Sequence, residues 1–411
     1  MRILLVDDDR ASLRLLERNL LRWDYDVVCA NDGLEAMEYL EAHPDLCLLI
    51  TDWSMPRMNG LELCRRARKL EREIYLHIIM LTNRENKADL IRSLEAGADA
   101  FLSKPLDPPE LQVHIKVACR MIDLAHRLEH KIHELDGAHK ALQHEIEAAG
   151  RIQRSLLPTV APVVPYIDTA WLFQSCNATA GDMLNVVRLD EDHLGIYVLD
   201  VSGHGCQAAM LSVSLSRVLN PYPQQGGILK EFTQTGKRYR IPTPAEVALE
   251  LNRRFPVMRQ SGQFFTFLYG IINIKTLDIQ YTRAGHPEPL HYSNGAIQHH
   301  NDRSAVPVGI IDEPEYDNYH AHLAPGDLLL FFTDGFEEAK DAEGNEFGRD
   351  NLETLLATQP GWRANQAVDA VKQALAEFTK DTPQTDDMTM VAVSIHPDRA
   401  PGEIQIVRNL A

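Results

Sequence analysis

The 411-residue chain carries a formal net charge of −18, with 45% hydrophobic and 24% charged residues. These proportions describe an ordinary globular protein of two or three domains and disfavour a general attraction to nucleic acid or an anionic membrane. The six cysteines (Cys29, Cys47, Cys64, Cys119, Cys176, Cys206) form no CxxC pair and read as reduced thiols. The apolar run at 3–6 is too short for a signal peptide, and no stretch approaches the ~20 apolar residues that cross a bilayer, so a cytoplasmic protein is expected.

The run at 3–6 instead marks a strand buried on both faces, ending in Asp7-Asp8-Asp9. A helical pattern follows at 11–23, then a strand at 27–30 and a helix at 33–42. A second apolar strand, 46–51, ends in Asp52. A helix from about Asn59, a strand at 78–82, a helix at 86–96 and a short strand at 100–102 complete the series, which ends at Ser103-Lys104-Pro105. Strand and helix alternate throughout, the pattern of an α/β doubly wound parallel sheet. Asp7, Asp8, Asp52, Thr82 and Lys104 fall where strands end, the edge at which such sheets bind ligands. Three converging acids repel one another and call for a hard cation such as magnesium, and a lysine beside them can neutralise a transferred phosphoryl group. Each residue alone has an ordinary use, Asp9 as a helix cap for instance. Five at matching strand ends point to a site.

The runs LLVDDD, LLITDWSMPRMNG, IIMLTN and AFLSKPL resemble a response-regulator receiver domain, assigned to residues 1–120. The resemblance implies that Asp52 accepts a phosphoryl group from a cognate histidine kinase. It implies that Asp8 and Asp52, with Asp7 nearby and the Ser54 carbonyl, hold Mg2+. Thr82 and Lys104 then sense the phosphoryl oxygens, and Phe101 is the aromatic switch residue. Asn83 stands where the family usually has a small residue, which bears on the rate of phosphoryl loss and not on the acceptor.

From Ala118 the chain reads in sevens: Ala118, Met121, Ala125, Leu128, Ile132, Leu135, His139, Leu142, Ile146, Ala149, Gln153, Leu156. Steps of three and four alternate, the rhythm of a helix burying a narrow stripe against a partner helix. Between them lie charged residues such as Arg127, Glu129, Glu134 and Lys140. Fifty helical residues would reach roughly 75 Å, more than one small domain needs. The expectation is a parallel homodimeric coiled coil serving as a linker over 121–157; the alternative is a long helix folded back on its own chain. His139 and Gln153 are polar seam residues, the kind that set register at a cost in stability, and Gly137 weakens the middle by about 1 kcal/mol.

Prolines from Pro158 to Pro165 stop the helix, and a third region, 158–411, begins. Strands are expected at 171–175, 184–189, 194–201, 264–274, 279–283, 328–333 and 388–394, with helices at 207–219, 245–255, 352–356 and 364–378. The stretch 221–244, with Lys230, Lys237, Arg238 and Arg240, reads as a long loop or flap. Grouped strands and helices indicate an α+β layered fold. Asp182, Asp200, Asp334 and the Asp386-Asp387 pair each stand at a strand boundary beside glycine or a turn. Carboxylates drawn from distant points suit hard divalent ions, and two such ions can activate water and clamp a phosphate.

The runs AAGRIQRSLLP, AGD, LDVSGHG, FLYGII, YTRAGHPEP, FFTDGFEEAKDAEGNEFG and DDMTMV resemble the metal-dependent (PPM-type) serine/threonine phosphatases of the SpoIIE/RsbU-like bacterial branch. The resemblance implies a β-sandwich flanked by helices. It also implies two Mn2+ or Mg2+ ions held by Asp182, Asp200, Asp334 and Asp386 with the Val201 carbonyl, Asp200 bridging both. Ala180 replaces the family's usual first glycine, and Met183 stands where an aromatic is common; neither change removes a ligand. His204 and His286 read as structural, since imidazole prefers softer metals. The whole chain therefore reads as a response regulator whose phosphorylation at Asp52 controls a protein phosphatase. Family analogy supplies its substrate, a phosphorylated anti-sigma-factor antagonist. The alternative is a phosphatase-like adaptor that sequesters a regulatory protein without turnover.

Overall fold

The computed structural model describes residues 1–72, 74–83, 87–203, 205–233, 239–259, 262–300, 303–380 and 382–396. The chain forms two units, Met1–Ala141 and Leu142–Ala411. In the first, elements follow in the order β1 (Arg2–Val6), α1 (Arg10–Arg22), β2 (Asp26–Ala30), α2 (Gly33–Ala42), β3 (Leu48–Asp52), α3 (Gly60–Ala67), β4 (His77–Thr82), α4 (Lys87–Glu95), β5 (Ala100–Ser103) and α5 (Pro108–Arg154). The strands lie in the order β2-β1-β3-β4-β5, all parallel. Continuous apolar runs are required here because both faces are covered. Leu4, Val6, Leu49, Ile78 and Met80 join the core formed with α2 and α3. Their alternates Ile3, Leu5, Ile50 and Ile79 join the core formed with α1 and α5. Asp9 caps α1, accepting from the Ala11 and Ser12 amides.

Helix α5 begins inside that second core, where Leu111, Ile115 and Ala118 are buried. Past it, Met121, Leu124, Leu128, Ile132, Leu135 and Leu142 are between 52% and 68% exposed. Two residues of the heptad count are therefore placed differently from the seam. Ala118 belongs to the first unit's core, and Gln153 is buried in the second unit. A heptad count registers spacing alone and cannot separate a stripe covered by a domain from one left for another helix.

The second unit runs β6 (Ile167–Gln174), β7 (Met183–Arg188), β8 (His193–Val201), α6 (Cys206–Val218), β9 (Glu231–Phe232), β10 (Tyr239–Arg240), α7 (Pro244–Arg254), β11 (Phe265–Asn273), β12 (Asp278–Ala284), β13 (Leu290–Ser293), β14 (Ala296–Gln298), β15 (Tyr319–His322), β16 (Leu328–Phe332), α8 (Gly348–Leu356), α9 (Ala364–Thr379) and β17 (Met388–Ile395). Two five-stranded antiparallel sheets, β15-β12-β11-β8-β7 and β14-β13-β16-β17-β6, pack as a sandwich. In β16 and β17 every side chain is buried. Leu329, Phe331, Val391 and Val393 enter the core between the sheets. Their alternates Leu328, Leu330, Phe332, Met390 and Ala392 meet α8 and α9 on the other side. Helices α6 and α7 cover the first sheet through Leu211, Leu215, Val247 and Leu251.

Among its described residues the 221–244 stretch holds more regular structure than the loop expected from its composition. It holds a 3-10 turn, Pro223–Gln225, and the β9–β10 hairpin, and the capping box of Thr243 and Glu246 starts α7. Lys237 and Arg238 lie outside the described residues. The short strands β13, β14 and β15 have no counterpart in the sequence reading; at three or four residues each they carry too few positions for a periodicity. Among the described residues no helix is long and apolar enough to cross a membrane.

Candidate active site and phosphoacceptor site

The first unit gathers its acids at the ends of β1 and β3. Asp7 and Asp52 are buried, Asp8 is exposed, and one oxygen from each lies within 4.8 Å of the others. Lys104, after β5, puts its Nζ 2.8 Å from Asp7 Oδ2 and 2.6 Å from Asp52 Oδ1. Burial raises the Asp52 carboxyl above its usual range, and Lys104 partly offsets this. Burial alone would lower Lys104, but its bonds to Asp52 and Asp7 raise it. The site is thus short of positive charge, with one lysine serving two buried carboxylates. The oxygen-only donor set fits a hard cation. The Ser54 amide donates to Asp52 Oδ2 at 3.1 Å, which fixes the carboxylate's orientation. Gly60 explains the NG of the motif: a Cβ there would collide with the Asp52 carbonyl. Thr82 closes β4 and is buried, and its carbonyl accepts from the Lys104 amide at 2.8 Å. Phe101 lies on β5, 38% exposed.

In the second unit Asp182 precedes β7, Asp200 lies near the end of β8, Asp334 opens a 3-10 turn after β16, and Asp386 precedes β17. Asp182 is fully buried, and burial followed by the charge of Asp200 raises its carboxyl well above the usual range. Asp200 is pushed up to about 7 by burial, then by the charges of Asp334 and Asp386. Burial likewise raises Asp334. Asp200 thus feels the other three acids, which come from separate segments, and a divalent cation would relieve that repulsion. The Val201 carbonyl lines the same place, 2.8 Å from where a Cβ on Gly181 would lie. Among the described residues no three of these acids bring ligand atoms within 4.8 Å of one another, unlike the first unit's triad.

Three supporting roles escaped the sequence reading, which placed Gln153 in the heptad seam and Asp387 among the strand-boundary acids. Thr333 donates its hydroxyl to Asp182 Oδ2 at 2.9 Å and accepts from the Thr389 amide at 3.0 Å. Asp387 is buried and accepts from the Cys176 amide at 2.8 Å and the Gly181 amide at 2.7 Å, so it is spent on the backbone that carries Asp182. Asp386, the other member of the pair, accepts from the Asp387 amide at 2.8 Å through Oδ1. Gln153, at the end of α5, donates to the Ala180 carbonyl at 2.6 Å and Ser212 Oγ at 2.7 Å, and accepts from the Ala180 amide at 3.0 Å. A Cβ on Gly150 would strike the Ala178 carbonyl, so the helix end lies directly on the segment before Asp182. The one legible signal for these three was their position within the quoted motifs. His286 is buried, its Nδ1 2.7 Å from Thr266 Oγ1 and its Nε2 2.9 Å from the Phe332 carbonyl, a structural role as expected. His204 lies outside the described residues.

Residues 190–396 match the family model described as Stage II sporulation protein E (SpoIIE), and residues 3–116 match that of the Response regulator receiver domain. The chain is similar to Chemotaxis protein CheY1 of Helicobacter pylori, at 41% identity over 118 residues, covering 28% of this chain and 95% of that protein. It is 37% identical over 125 residues to the Alkaline phosphatase synthesis transcriptional regulatory protein PhoP of Bacillus subtilis, covering 30% of this chain and 50% of that one. Among solved structures, the SiaA-PP2C domain of Pseudomonas aeruginosa shares the fold, with a TM-score of 0.52 at 21% identity over 64% of this chain and 99% of that one.

Proposed function

The chain belongs to the Stage II sporulation protein E (SpoIIE) family and carries a response regulator receiver domain, and on that premise we propose that phosphorylation of Asp52 controls a metal-dependent serine/threonine phosphatase built on Asp182, Asp200, Asp334 and Asp386. A receiver fused to a protein phosphatase domain makes a response-regulator-controlled phosphatase; the residues, metals, partners and substrate are the proposed part. The proposed division is receiver 1–120, linker 121–157 and phosphatase 158–411.

In the receiver, Asp7, Asp8, Asp52 and the Ser54 carbonyl would hold Mg2+, which supplies charge neutralisation for phosphoryl transfer. Lys104 already lies against Asp52 Oδ1, where it counters a phosphoryl group arriving on that oxygen. Thr82 at the neighbouring strand end offers a hydroxyl to the same group, and Phe101 follows that movement. The donor is a cognate histidine kinase. In the phosphatase, the four aspartates and the Val201 carbonyl would hold two Mn2+ or Mg2+ ions, which supply Lewis acidity toward water and the phosphoryl oxygens. The chain's own part is to hold its carboxylates fixed, through Thr333 on Asp182 and Asp387 on the Gly181 amide. The substrate is a phosphoserine or phosphothreonine protein, by family resemblance a phosphorylated anti-sigma-factor antagonist.

The gathering of Asp182, Asp334 and Asp386 around Asp200 carries this reading, because buried acids that repel one another suit divalent cations, which can activate water beside a phosphate. The test is hydrolysis of an aryl phosphate and a phosphoserine protein by the full chain with Mn2+, with and without a small phosphodonor. The expected result is metal-dependent turnover that changes on phosphorylation, and indifference to the donor in Asp52→Ala, which takes up no phosphate. Absence of turnover with metal present would favour the sequestering adaptor.

A further inference from the structure

A groove of about 380 Å³ lies on the α9 side of the sandwich. Among the described residues its charged lining side chains are Lys340, Lys372 and Lys380, and no described acid lines it. In a chain of net charge −18 that is an uncommon neighbourhood. Lys340 makes an exposed ion pair with Glu346 at 3.5 Å, while among the described residues Lys372 and Lys380 have no ion-pair partner. The groove adjoins the carboxylate site. Gln384, in its wall, donates to the Asp386 carbonyl at 2.6 Å and the Gln174 carbonyl at 2.9 Å, so one end is continuous with the segment carrying Asp386. Lys340 closely follows the 3-10 turn Asp334–Phe336. Glu338, between them, feels the charges of Asp334, Asp386 and Lys340 alike.

Resting on the phosphatase reading above, we propose that this groove binds an acidic segment flanking the phosphorylated residue of the protein substrate. Acids at the reaction centre repel an acidic substrate until cations neutralise them. A lysine groove beside the centre offers such a substrate an attractive approach and a register, while one free of acids gains nothing there. The specificity therefore lies in charge next to the phosphoresidue, read by α9 and the turn after Asp334.

The experiment uses the full chain with Mn2+ and two phosphoserine peptides of equal length, one flanked by glutamates and one by glutamines, at low salt. The quantity read is the ratio of their kcat/KM values. The ratio is expected to favour the acidic peptide by about three- to tenfold, the effect of one or two exposed charge pairs. It should fall toward one in Lys372→Gln/Lys380→Gln, and in the wild type at high salt. Turnover of the glutamine peptide by the variant shows that the fold and the carboxylate site are intact. A wild-type ratio near one, or a ratio untouched by the double substitution, overturns the proposal. So does a tenfold weakening of inhibition by inorganic phosphate in the variant, which would make the groove a free-phosphate site. If neither peptide nor an aryl phosphate is turned over, the phosphatase reading falls, and this inference with it.

Discussion

Asp387 shows how much a single buried side chain can organise. Its two oxygens take the Cys176 and Gly181 amides, tying the start of β17 to the loop that carries Asp182. Asp387→Ala leaves the buried Gly181 amide unpaired, at about 1–3 kcal/mol, and the half-buried Cys176 amide at less. The expected outcome is a lower thermal midpoint and at least tenfold weaker Mn2+ binding by calorimetry, with Asp387→Asn intermediate because one oxygen remains. Wild-type metal affinity in a folded Asp387→Ala would remove it from this role. His286 allows a test by pH. Burial pushes its imidazole down to about 3, and the Phe332 carbonyl only partly offsets this. Unfolded histidine has a pKa near 6.5, so the unfolded chain gains a proton that the native chain refuses. Stability contributed by neutral His286 is therefore intact above about 6.5 and lost as pH falls toward 3, by at most about 1.4 kcal/mol per pH unit. Urea midpoints between pH 7 and 5 should drop more steeply for the wild type than for His286→Gln. Equal slopes would mean that the native imidazole titrates normally. The acids were legible in the sequence because each stands at a strand end beside glycine or a turn. The supporting roles of Thr333, Asp387 and Gln153 were not, because each acts through partners far away in the chain.

Elements were legible where burial writes a period. Strands β1, β3, β4, β16 and β17 are runs of apolar residues, and both faces of each are covered. The strands β13–β15 and the β9–β10 hairpin are too short for a period to show. For α5 the heptad spacing gave the existence of a long helix but not its anchorage. Leu111, Ile115 and Ala118 fix one end in the receiver core, and Gln153 fixes the other on Ala180, two residues before Asp182. A rotation of the helix is therefore delivered to the backbone of a proposed ligand. Inserting four residues after Asp136 turns the far half by about 40°, and seven residues nearly restore the phase. We expect the four-residue insertion to uncouple the phosphodonor response from hydrolysis and the seven-residue insertion largely to spare it. Equal responses in two folded variants would reduce α5 to a tether.

At the scale of the whole molecule the exposed stripe of α5 needs a partner. Met121, Leu124, Leu128, Ile132, Leu135 and Leu142 leave water only when another apolar surface covers them. The stripe is narrow and heptad-spaced, and charged residues flank it, with Lys131–Glu134 and Lys140–Asp136 paired along its own surface. A second copy of the same helix meets each of those requirements, which makes a homodimer through a parallel coiled coil the expected assembly. Replacing Leu128, Ile132 and Leu135 by glutamate puts like charges along that seam. Sedimentation is expected to report a dimer for the wild type and a monomer for the triple variant. The phosphatase unit has its own cores, so metal-dependent hydrolysis should survive in the triple variant. What should vanish is the effect of phosphorylating Asp52, because a helix without its partner has no second packing to choose between and so nothing for the receiver to bias. A monomeric variant that still answers the phosphodonor would place the coupling inside one chain and leave the stripe to some other partner.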